Sequence, residues 1–153
     1  MKNYLTAFFC AITMLASSCS QPAEEKEKDK IKSAADSFTE NYFNFKFADS
    51  RKFCTEESAV WLSFLASNMQ QEDIDILKAQ DEGAYCEAQS INIVNDTTAT
   101  ANYRIHNFMR IDTLGKAGEM TEQADYIITL VKRGEKWNVK MEGPLQSERR
   151  NRD

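Results

Sequence analysis

The stretch YIITLVKRGEKWNVKM, residues 126–141, decides the fold that we predict for this chain. Its first half is rich in β-branched and aromatic residues, which favour extended backbone. Residues 133–135 (Arg-Gly-Glu) are typical of a tight turn, and after them Trp137, Val139 and Met141 alternate with polar residues. A period of two places these apolar side chains on one face of a strand. The stretch therefore predicts an antiparallel hairpin with one buried face.

Upstream of this hairpin, the same alternation predicts further strands. The segment 98–112 places four apolar side chains on one face, namely Ala99, Ala101, Tyr103 and Ile105. A turn signal, Asn-Asp at 95–96, separates it from an earlier strand at 84–94. With strands at 120–132 and 137–141, the pattern predicts an antiparallel sheet of about four strands.

Before the strands, apolar residues recur at steps of three and four, which is the spacing of amphipathic helices. A first helix at 31–48 carries the stripe Ile31, Ala34, Ala35, Phe38, Tyr42, Phe45 and Ala48. A second helix begins with Thr55 as its N-cap and buries Ala59, Val60, Trp61, Phe64 and Leu65. A third helix spans 72–80. Helices followed by antiparallel strands predict an α+β fold, with the helices packed on one face of a curved sheet.

Two segments of the chain resemble a known family. The stretch 126–141 resembles the last hairpin of nuclear transport factor 2-like domains, which have a cystatin-like, cone-shaped α+β fold. The stretch FTENYFNFKFADSRKFCTEES, residues 38–58, is similar to the helices of the small bacterial lipoprotein branch, whose members often have no assigned function. The resemblance covers about residues 31–141 and implies a domain at 31–143. It also implies a cavity between helices and concave sheet that takes small apolar molecules or peptides.

The first residues of the chain have the pattern of an export signal. Lys2 precedes an apolar stretch at 4–15, which is shorter than the roughly 20 residues that a spanning helix needs. The segment Leu-Ala-Ser-Ser-Cys that follows resembles the bacterial lipobox, although Ala16 stands where that motif usually has leucine. We therefore predict a signal peptide at 1–18 and lipid attachment at Cys19. The alternative is an ordinary secretory signal with a cysteine nearby.

The segment after Cys19 indicates how the domain is held. Residues 20–30, SQPAEEKEKDK, contain almost no apolar side chain, so we expect a flexible tether at 19–30. Glu24 and Glu25 resemble the tag that directs some lipoproteins to the outer membrane of Gram-negative bacteria, or they simply solubilise a linker. The predicted location is that outer membrane, with the protein periplasmic or surface-exposed. Residues 144–153 are predicted to be a charged, solvated tail.

Two cysteines remain after the signal and the lipid site. Cys54 and Cys86 in an exported domain are more typical of a disulfide than of free thiols. The bridge would close a loop of about 30 residues and contribute roughly 3–4 kcal/mol. Together with the single His106, these cysteines match no recognised metal-ligand spacing, so no metal site is predicted.

Five aromatic residues are the candidates for lining the cone cavity: Tyr42, Trp61, Tyr103, Tyr126 and Trp137. Aromatics at such spacings are more often core than ligand cage, and that alternative stays open. By strand parity His106 faces away from this set, as does Asp125, so no general base is placed beside it. The sequence also contains no Gly-rich phosphate loop and no nucleophile elbow. We predict no catalytic residue and no cofactor.

Charge and surface residues limit the partners. Removal of the signal takes away Lys2, which leaves 18 basic and 24 acidic residues, or a net charge of −6. Such an acidic domain is a poor candidate for nucleic acid. Phe108, Ile127 and Val131 share the outer face of the sheet, which would suit a homodimer contact.

The leading functional hypothesis is an envelope-anchored, non-catalytic module that binds a small apolar ligand or a protein partner. The alternatives are an isomerase- or dehydratase-like enzyme that uses the cone, and a structural or assembly partner in an envelope complex.

Overall fold

The helices precede the sheet, as the sequence predicts. The computed structural model describes residues 22–111 and 115–148, so Cys19 and the proposed signal lie outside the described residues. The helices are α1 (Ala23–Phe43), α2 (Phe47–Ser50), α3 (Ala59–Ser67) and α4 (Gln71–Ala79), with a 3₁₀ turn at Arg51–Phe53. The strands are β1 (Tyr85–Asn95), β2 (Thr98–Arg110), β3 (Glu119–Arg133) and β4 (Lys136–Val139). They form one antiparallel sheet in the order β1-β2-β3-β4, which confirms the α+β prediction.

The core lies between α1 and the inner face of the sheet. From α1, Ile31, Ala35 and Phe38 are fully buried against inward residues of β2 and β3. Two of those are the alanines Ala99 and Ala101, whose small side chains let the helix lie close to the strand. Full burial of a side chain such as Phe38 contributes about 1.5–3 kcal/mol. This packing places α1 across the sheet.

Helix α1 begins at Ala23, so the prediction of a flexible tether at 19–30 is wrong for residues 23–30. Composition predicted disorder because these residues bury little apolar surface. The helix is stabilised by charge instead: Lys28 pairs with Glu24 across one turn at 2.7 Å. Glu27 also reaches the sheet, where it accepts hydrogen bonds from Lys132 and from the indole of Trp137. Tertiary contacts thus order a segment whose composition predicts disorder.

The first helix ends earlier than the predicted 31–48, at Phe43. Phe45 has φ 59°, a left-handed conformation that a helix does not accommodate. The N–H of Phe45 donates to the carbonyl of Tyr42 (3.1 Å), and the N–H of Lys46 donates to that of Asn41 (2.9 Å). The chain then restarts as the short helix α2 in a new direction, which leaves the aromatic side chains of 42–47 clustered at one end of the cone.

Thr55 caps a turn, and α3 begins four residues later, at Ala59. The Oγ1 of Thr55 accepts a hydrogen bond from the N–H of Ser58 at 3.3 Å. The Oγ of Ser58 in turn accepts from the N–H of Met141 at 2.8 Å, so this turn is fastened to the chain that leaves β4. The predicted third helix is present as α4, only one residue displaced at each end.

Phe108 lies in the core, so its assignment to the outer face of the sheet is wrong. Asn107 has φ 50°, and this left-handed residue interrupts the alternation of β2. As a result Phe108 is 1% exposed and packs against the rings of Phe43 and Tyr126. Ile127 remains exposed on the outer face. Homodimerisation through that face stays a prediction, and the apolar patch that would support it is smaller without Phe108.

The predicted disulfide is also wrong, because both thiols are free. Cys54 pairs through its backbone with Val139, the last residue of β4, whereas Cys86 lies on β1, paired with Ile105, at the opposite edge of the sheet. The Sγ of Cys54 donates instead to the carbonyl of Arg51. Two cysteines can be bridged only when their Cα atoms lie within about 7 Å. The predicted export of the domain and its two remaining cysteines suggested a disulfide. The strand order, however, places the two residues at opposite edges of the sheet.

The end of the chain is folded as far as residue 148, so the solvated tail predicted at 144–153 begins too early. The N–H of Leu145 donates to the hydroxyl of Tyr42 (3.0 Å), and Ser147 pairs with Tyr126 as an isolated bridge. The N–H of Glu148 donates to the carbonyl of Asp125 (2.8 Å). Residues 149–153 lie outside the described residues. The described domain therefore extends over 23–148 instead of 31–143.

Among the helices of the described ranges, none combines the length and the apolar character that crossing a bilayer requires.

Candidate functional site

The interior of the cone is filled with side chains. Phe38, Tyr103, Ile128 and Leu130 are all fully buried between α1 and the sheet. At the narrow end, the indole Nε1 of Trp137 donates to Glu27 at 2.7 Å and closes the space between β4 and the start of α1. A ligand therefore cannot enter the centre of the cone without displacing core residues.

The wide end of the cone retains a cavity of about 50 Å³, which we call the mouth pocket. It lies where the end of α1, the end of β2 and the C-terminal segment meet. Its lining residues are Tyr42, Phe43, Phe45, Phe47, Leu65, Phe108, Met109, Arg110, Ile111, Tyr126, Pro144, Leu145, Gln146 and Ser147. Most of these side chains are aromatic or aliphatic.

The aromatic rings of the mouth pocket support one another in edge-to-face contacts. The ring of Tyr42 contacts Phe43 at 5.1 Å and Phe47 at 5.9 Å between centroids. Phe43 contacts Tyr126 at 4.7 Å and Phe108 at 5.4 Å. Each such pair contributes about 0.5–1.5 kcal/mol beyond area burial. The pocket wall is therefore rigid and is formed before any ligand arrives.

Two features give the mouth pocket a polar side. Tyr42 accepts a hydrogen bond from the N–H of Leu145, and burial raises the pKa of its hydroxyl to about 12, so it stays protonated near neutral pH. Arg110 is the one charged residue in the lining of this pocket within the described part of the chain. Its guanidinium gives the lining of the pocket one positive charge.

The structure brings two of the five predicted lining residues into the mouth pocket, namely Tyr42 and Tyr126. Tyr103 is enclosed in the core, and Trp137 lies at the narrow end beside Glu27. Trp61 is half-buried on α3, where its ring meets Phe64. Strand parity correctly selected Tyr103, Tyr126 and Trp137 as inward residues, but it does not say at which level of the cone a side chain lies.

Sequence reasoning missed most of the pocket wall. The pattern assigns Phe45 to the apolar stripe of one helix and Phe108 to the outer face, and it does not select Phe43 or Phe47 as lining residues. The run YFNFKF at 42–47 was the available signal, because four aromatics in six residues exceed what one helical stripe buries. Leu145 gave no signal, since it stands in a polar segment after a Gly-Pro pair.

A carboxylate does meet a tyrosine in this fold, although the sequence pattern indicated none. The hydroxyl of Tyr103 donates to Oδ1 of Asp36, from α1, at 2.5 Å. Burial and the neighbouring carboxylate of Asp36 raise the pKa of Tyr103 well above its usual value. Because this hydroxyl is enclosed and already donates its proton, Tyr103 is not presented to a substrate. The isomerase- or dehydratase-like alternative relied on such an inward tyrosine in an open pocket.

The fold also determines what the Cys86 thiol, the His106 imidazole and the possible metal ligands could do as functional groups. Burial raises the pKa of the Cys86 thiol to about 12, so it is protonated and a poor nucleophile near neutral pH. His106 lies on the outer face, with its Nε2 3.5 Å from the carboxylate of Glu87. Within residues 22–111 and 115–148, no three His, Cys, Asp or Glu side chains are grouped so that they could hold a metal ion.

Comparison with solved structures identifies the fold. The chain is similar to the crystal structure of an NTF-2 like protein of unknown function from Shewanella oneidensis MR-1, with a TM-score of 0.52. The alignment covers 75% of this chain and 95% of that one. The domain has the nuclear transport factor 2-like fold. The predicted resemblance is thereby confirmed at the level of fold.

The similarity of this nuclear transport factor 2-like domain to its structural relative is limited to architecture. Sequence identity is 10%, so side chains of the relative say nothing about those of the present chain. No protein-family model matches the chain, and no curated protein matches it. A function has to be argued from the residues of the mouth pocket and of the surface.

Proposed function

We propose that this chain is an envelope-anchored lipoprotein whose nuclear transport factor 2-like domain binds a protein partner, taking one apolar side chain of it into the mouth pocket. The volume of the pocket carries this proposal. Small-molecule sites usually measure about 300–1,000 Å³, and a cavity of about 150 Å³ holds benzene. A cavity of about 50 Å³ accommodates one aliphatic side chain and no complete drug-sized ligand.

The composition of the pocket wall supports the same proposal. Binding energy at protein interfaces is concentrated where an apolar or aromatic anchor enters a well-packed, desolvated pocket. The rings of Tyr42, Phe43 and Phe108 provide such a wall at little entropic cost, because their mutual contacts already fix them.

Lipid anchoring is supported by the residues before the folded domain. The small residues 16–18 lead directly to Cys19, after an apolar stretch of signal length. Only three residues separate Cys19 from the start of α1 at Ala23. An acyl group on Cys19 would therefore hold the domain close to the membrane surface.

Metabolic labelling with an alkyne fatty acid tests the anchor. The chain is expressed in a Gram-negative host as wild type, as Cys19→Ser and as Cys10→Ser, which changes the other cysteine of the leader. We expect label on the wild type and on Cys10→Ser and none on Cys19→Ser. Equal labelling of Cys19→Ser, or no labelling of the wild type, would contradict the proposal.

NMR titration of the chain from residue 20 to 153 tests the pocket, with N-acetyl-leucinamide as the probe. Binding should shift the amide resonances of Tyr42 and Phe108, with a weak affinity in about the millimolar range that so few atoms allow. Leu65→Trp fills the pocket and should abolish the shifts. Val60→Trp places the same ring on the exposed side of α3 and should leave them unchanged. Equal shifts with N-acetyl-glycinamide, or unchanged binding by Leu65→Trp, would contradict the assignment.

A further inference from the structure

Strand β1 forms a free edge of the sheet. It runs for 11 residues, Tyr85–Asn95, and pairs only with β2 among the described residues. Natural edge strands are usually protected by charged side chains (lysine above all), by proline, by β-bulges or by shortness. The sequence of β1, YCEAQSINIVN, contains no lysine, arginine or proline, and its two register shifts, at Ala88–Ser90 and at Ile93–Asn95, both lie after Glu87. This edge is therefore open to pairing with another extended chain.

The backbone groups that such a chain would meet can be assigned from Asn44. Its side-chain oxygen accepts from the N–H of Ala84 (2.8 Å), and its Nδ2 donates to the carbonyl of Ala84 (3.1 Å). Ala84 thus turns both backbone groups away from β2. Because these directions alternate along an antiparallel strand, Cys86 and Ala88 also turn their N–H and C=O groups away from β2. The side chain of Asn44 thus occupies the outward backbone groups of Ala84, and those of Cys86 and Ala88 remain for an added strand.

A groove runs along this edge, between β1 and the side of α1. Its volume is about 430 Å³, and we call it the edge groove. One wall consists of Lys32, Asp36 and Glu40, which are four residues apart and share one face of α1. The other wall is the chain from Ala84 to Ala88, which at about 3.3 Å per residue is long enough to pair with five extended residues.

The charge of the edge groove indicates what would occupy it. Asp36, Glu40 and Glu87 are acidic, and the one basic residue of the lining, Lys32, already pairs with Asp36 at 2.6 Å. Glu40 is exposed and has no ion pair with any residue of the described ranges. An occupant with basic side chains would be complementary to these carboxylates. A second copy of this chain would instead bring like charges together across a twofold axis.

We propose that an extended, basic peptide segment of a partner protein docks in the edge groove and adds a strand to β1. Backbone hydrogen bonds to Cys86 and Ala88 provide the pairing, and the carboxylates of Glu40 and Glu87 select lysine or arginine side chains. No residue lines both the edge groove and the mouth pocket. This site is therefore distinct from the proposed apolar pocket and does not depend on it.

The test uses the chain from residue 20 to 153, which retains every described element, and three probe peptides. The first is an acetylated, amidated hexapeptide that alternates lysine and valine. The second has the same sequence with every backbone nitrogen methylated, and the third replaces lysine with glutamate. We expect the first to shift the amide resonances of Cys86 and Ala88 and to slow their hydrogen exchange. The other two should not bind, because one lacks donors and the other is repelled.

Two variants locate the contact. Glu40→Lys should weaken binding of the lysine peptide by about fivefold or more, since it turns one attraction into a repulsion. Glu122→Lys makes the same change at an exposed position of β3 and should leave the affinity unchanged. Ala88→Pro removes an outward N–H without removing a bond to β2, and it should abolish pairing. If Ala88→Pro does not fold, the comparison of Glu40→Lys with Glu122→Lys still shows whether the peptide binds in the edge groove.

Several outcomes would overturn the proposal. Equal binding of the methylated peptide would show that charge alone is responsible. Shifts confined to other strands, or no binding at millimolar peptide, would exclude the edge groove. Self-association of the chain that Ala88→Pro abolishes would show that a second copy occupies the edge instead of a basic peptide.

Discussion

At the scale of single residues, Asp73 is the clearest case of a charged side chain used for structure. It is 1% exposed, and each carboxylate oxygen accepts one backbone N–H. Oδ2 accepts from Gln70 at the start of α4 (2.8 Å), and Oδ1 accepts from Gly118 in the β2–β3 loop (2.7 Å). Gly118 is required there, because an added Cβ would lie 2.7 Å from the side chain of Met109. The carboxylate therefore joins a helix to a hairpin far away in sequence.

Asp73→Ala should destabilise the fold by about 2–4 kcal/mol, because it leaves the buried N–H of Gly118 and the part-buried N–H of Gln70 without an acceptor. Asp75→Ala removes a carboxylate two residues away on the exposed side of α4 and should change stability by less than about 0.5 kcal/mol. Urea unfolding followed by circular dichroism measures both. Equal losses in the two variants would show that the contacts of Asp73 are unimportant.

Glu27 makes the stability of the domain depend on pH. Hydrogen bonds from Lys132 and then from Trp137 lower the pKa of its carboxyl from 4.5 to about 2 in the folded state. A lowered folded pKa stabilises the fold above the unfolded value, and this contribution is lost as the pH falls from about 4.5 to about 2. Glu27→Gln should therefore be less stable than wild type at pH 7, and the difference should shrink toward pH 2.

Thermal unfolding of both proteins between pH 7 and pH 2 measures this difference. Glu122→Gln, at an exposed position on β3, serves as the control and should follow the wild type at every pH. A difference between Glu27→Gln and wild type that stays constant down to pH 2 would mean that the carboxylate does not titrate in the contact assigned to it.

At the scale of elements, two residues with left-handed backbone redirect the chain. Phe45 (φ 59°) ends α1 and turns the aromatic run toward the wide end of the cone. Asn107 (φ 50°) lies in β2 and directs Phe108 into the core. Phe45 and Phe108 both line the mouth pocket as a result. Asparagine tolerates this conformation far better than a bulky residue does.

Asn107→Val should cost about 2–3 kcal/mol, which combines left-handed strain with loss of the hydrogen bond to the carbonyl of Glu82. Asn107→Gly loses the same hydrogen bond but relieves the strain, so it should cost less than about 1 kcal/mol. Unfolding in urea measures both, and near-ultraviolet circular dichroism reports the environment of the Phe108 ring. Equal costs would show that backbone conformation at this position does not matter.

The elements themselves could largely be predicted, and the site could not. Alternation located β2 and β3 to within two residues at each end, because sheet burial imposes a period of two on the sequence. Phe108 was misplaced because one left-handed residue inverts that period, and asparagine within a strand is too common to indicate it. The start of α1 was missed because its stabilising partners, Lys132 and Trp137, are about a hundred residues away.

At the scale of the whole molecule, the C-terminal segment closes the wide end of the cone. Leu145, Ser147 and Glu148 attach it to Tyr42, Tyr126 and Asp125 respectively. The segment also covers the part of β3 that lies beyond the short strand β4. The wall of the mouth pocket therefore depends on this C-terminal segment, which contributes residues 144–147 to it.

Truncation after Gly143 should widen the mouth pocket and lower the melting temperature. Burial is the cause of the raised pKa of Tyr42, so exposure should lower this pKa from about 12 toward its ordinary value near 10. Ultraviolet titration of tyrosinate, taken as the difference from the same truncation with Tyr42→Phe, measures the change. Truncation after Glu148 keeps the three contacts and serves as the control. An unchanged pKa of Tyr42 after the shorter truncation would mean that the segment does not cover it.

The sequence alone determined the order of helices and strands, the faces that they bury and the resemblance to nuclear transport factor 2-like domains. The elements and their buried faces follow from local periodicity, which each element carries within itself, whereas the resemblance rests on the residues of 126–141 and 38–58. Tertiary structure alone decided that Cys54 and Cys86 lie at opposite edges, that Phe108 is inside and that the mouth pocket lies at the wide end. Those features depend on which residues distant in sequence become neighbours, and periodicity carries no information about that.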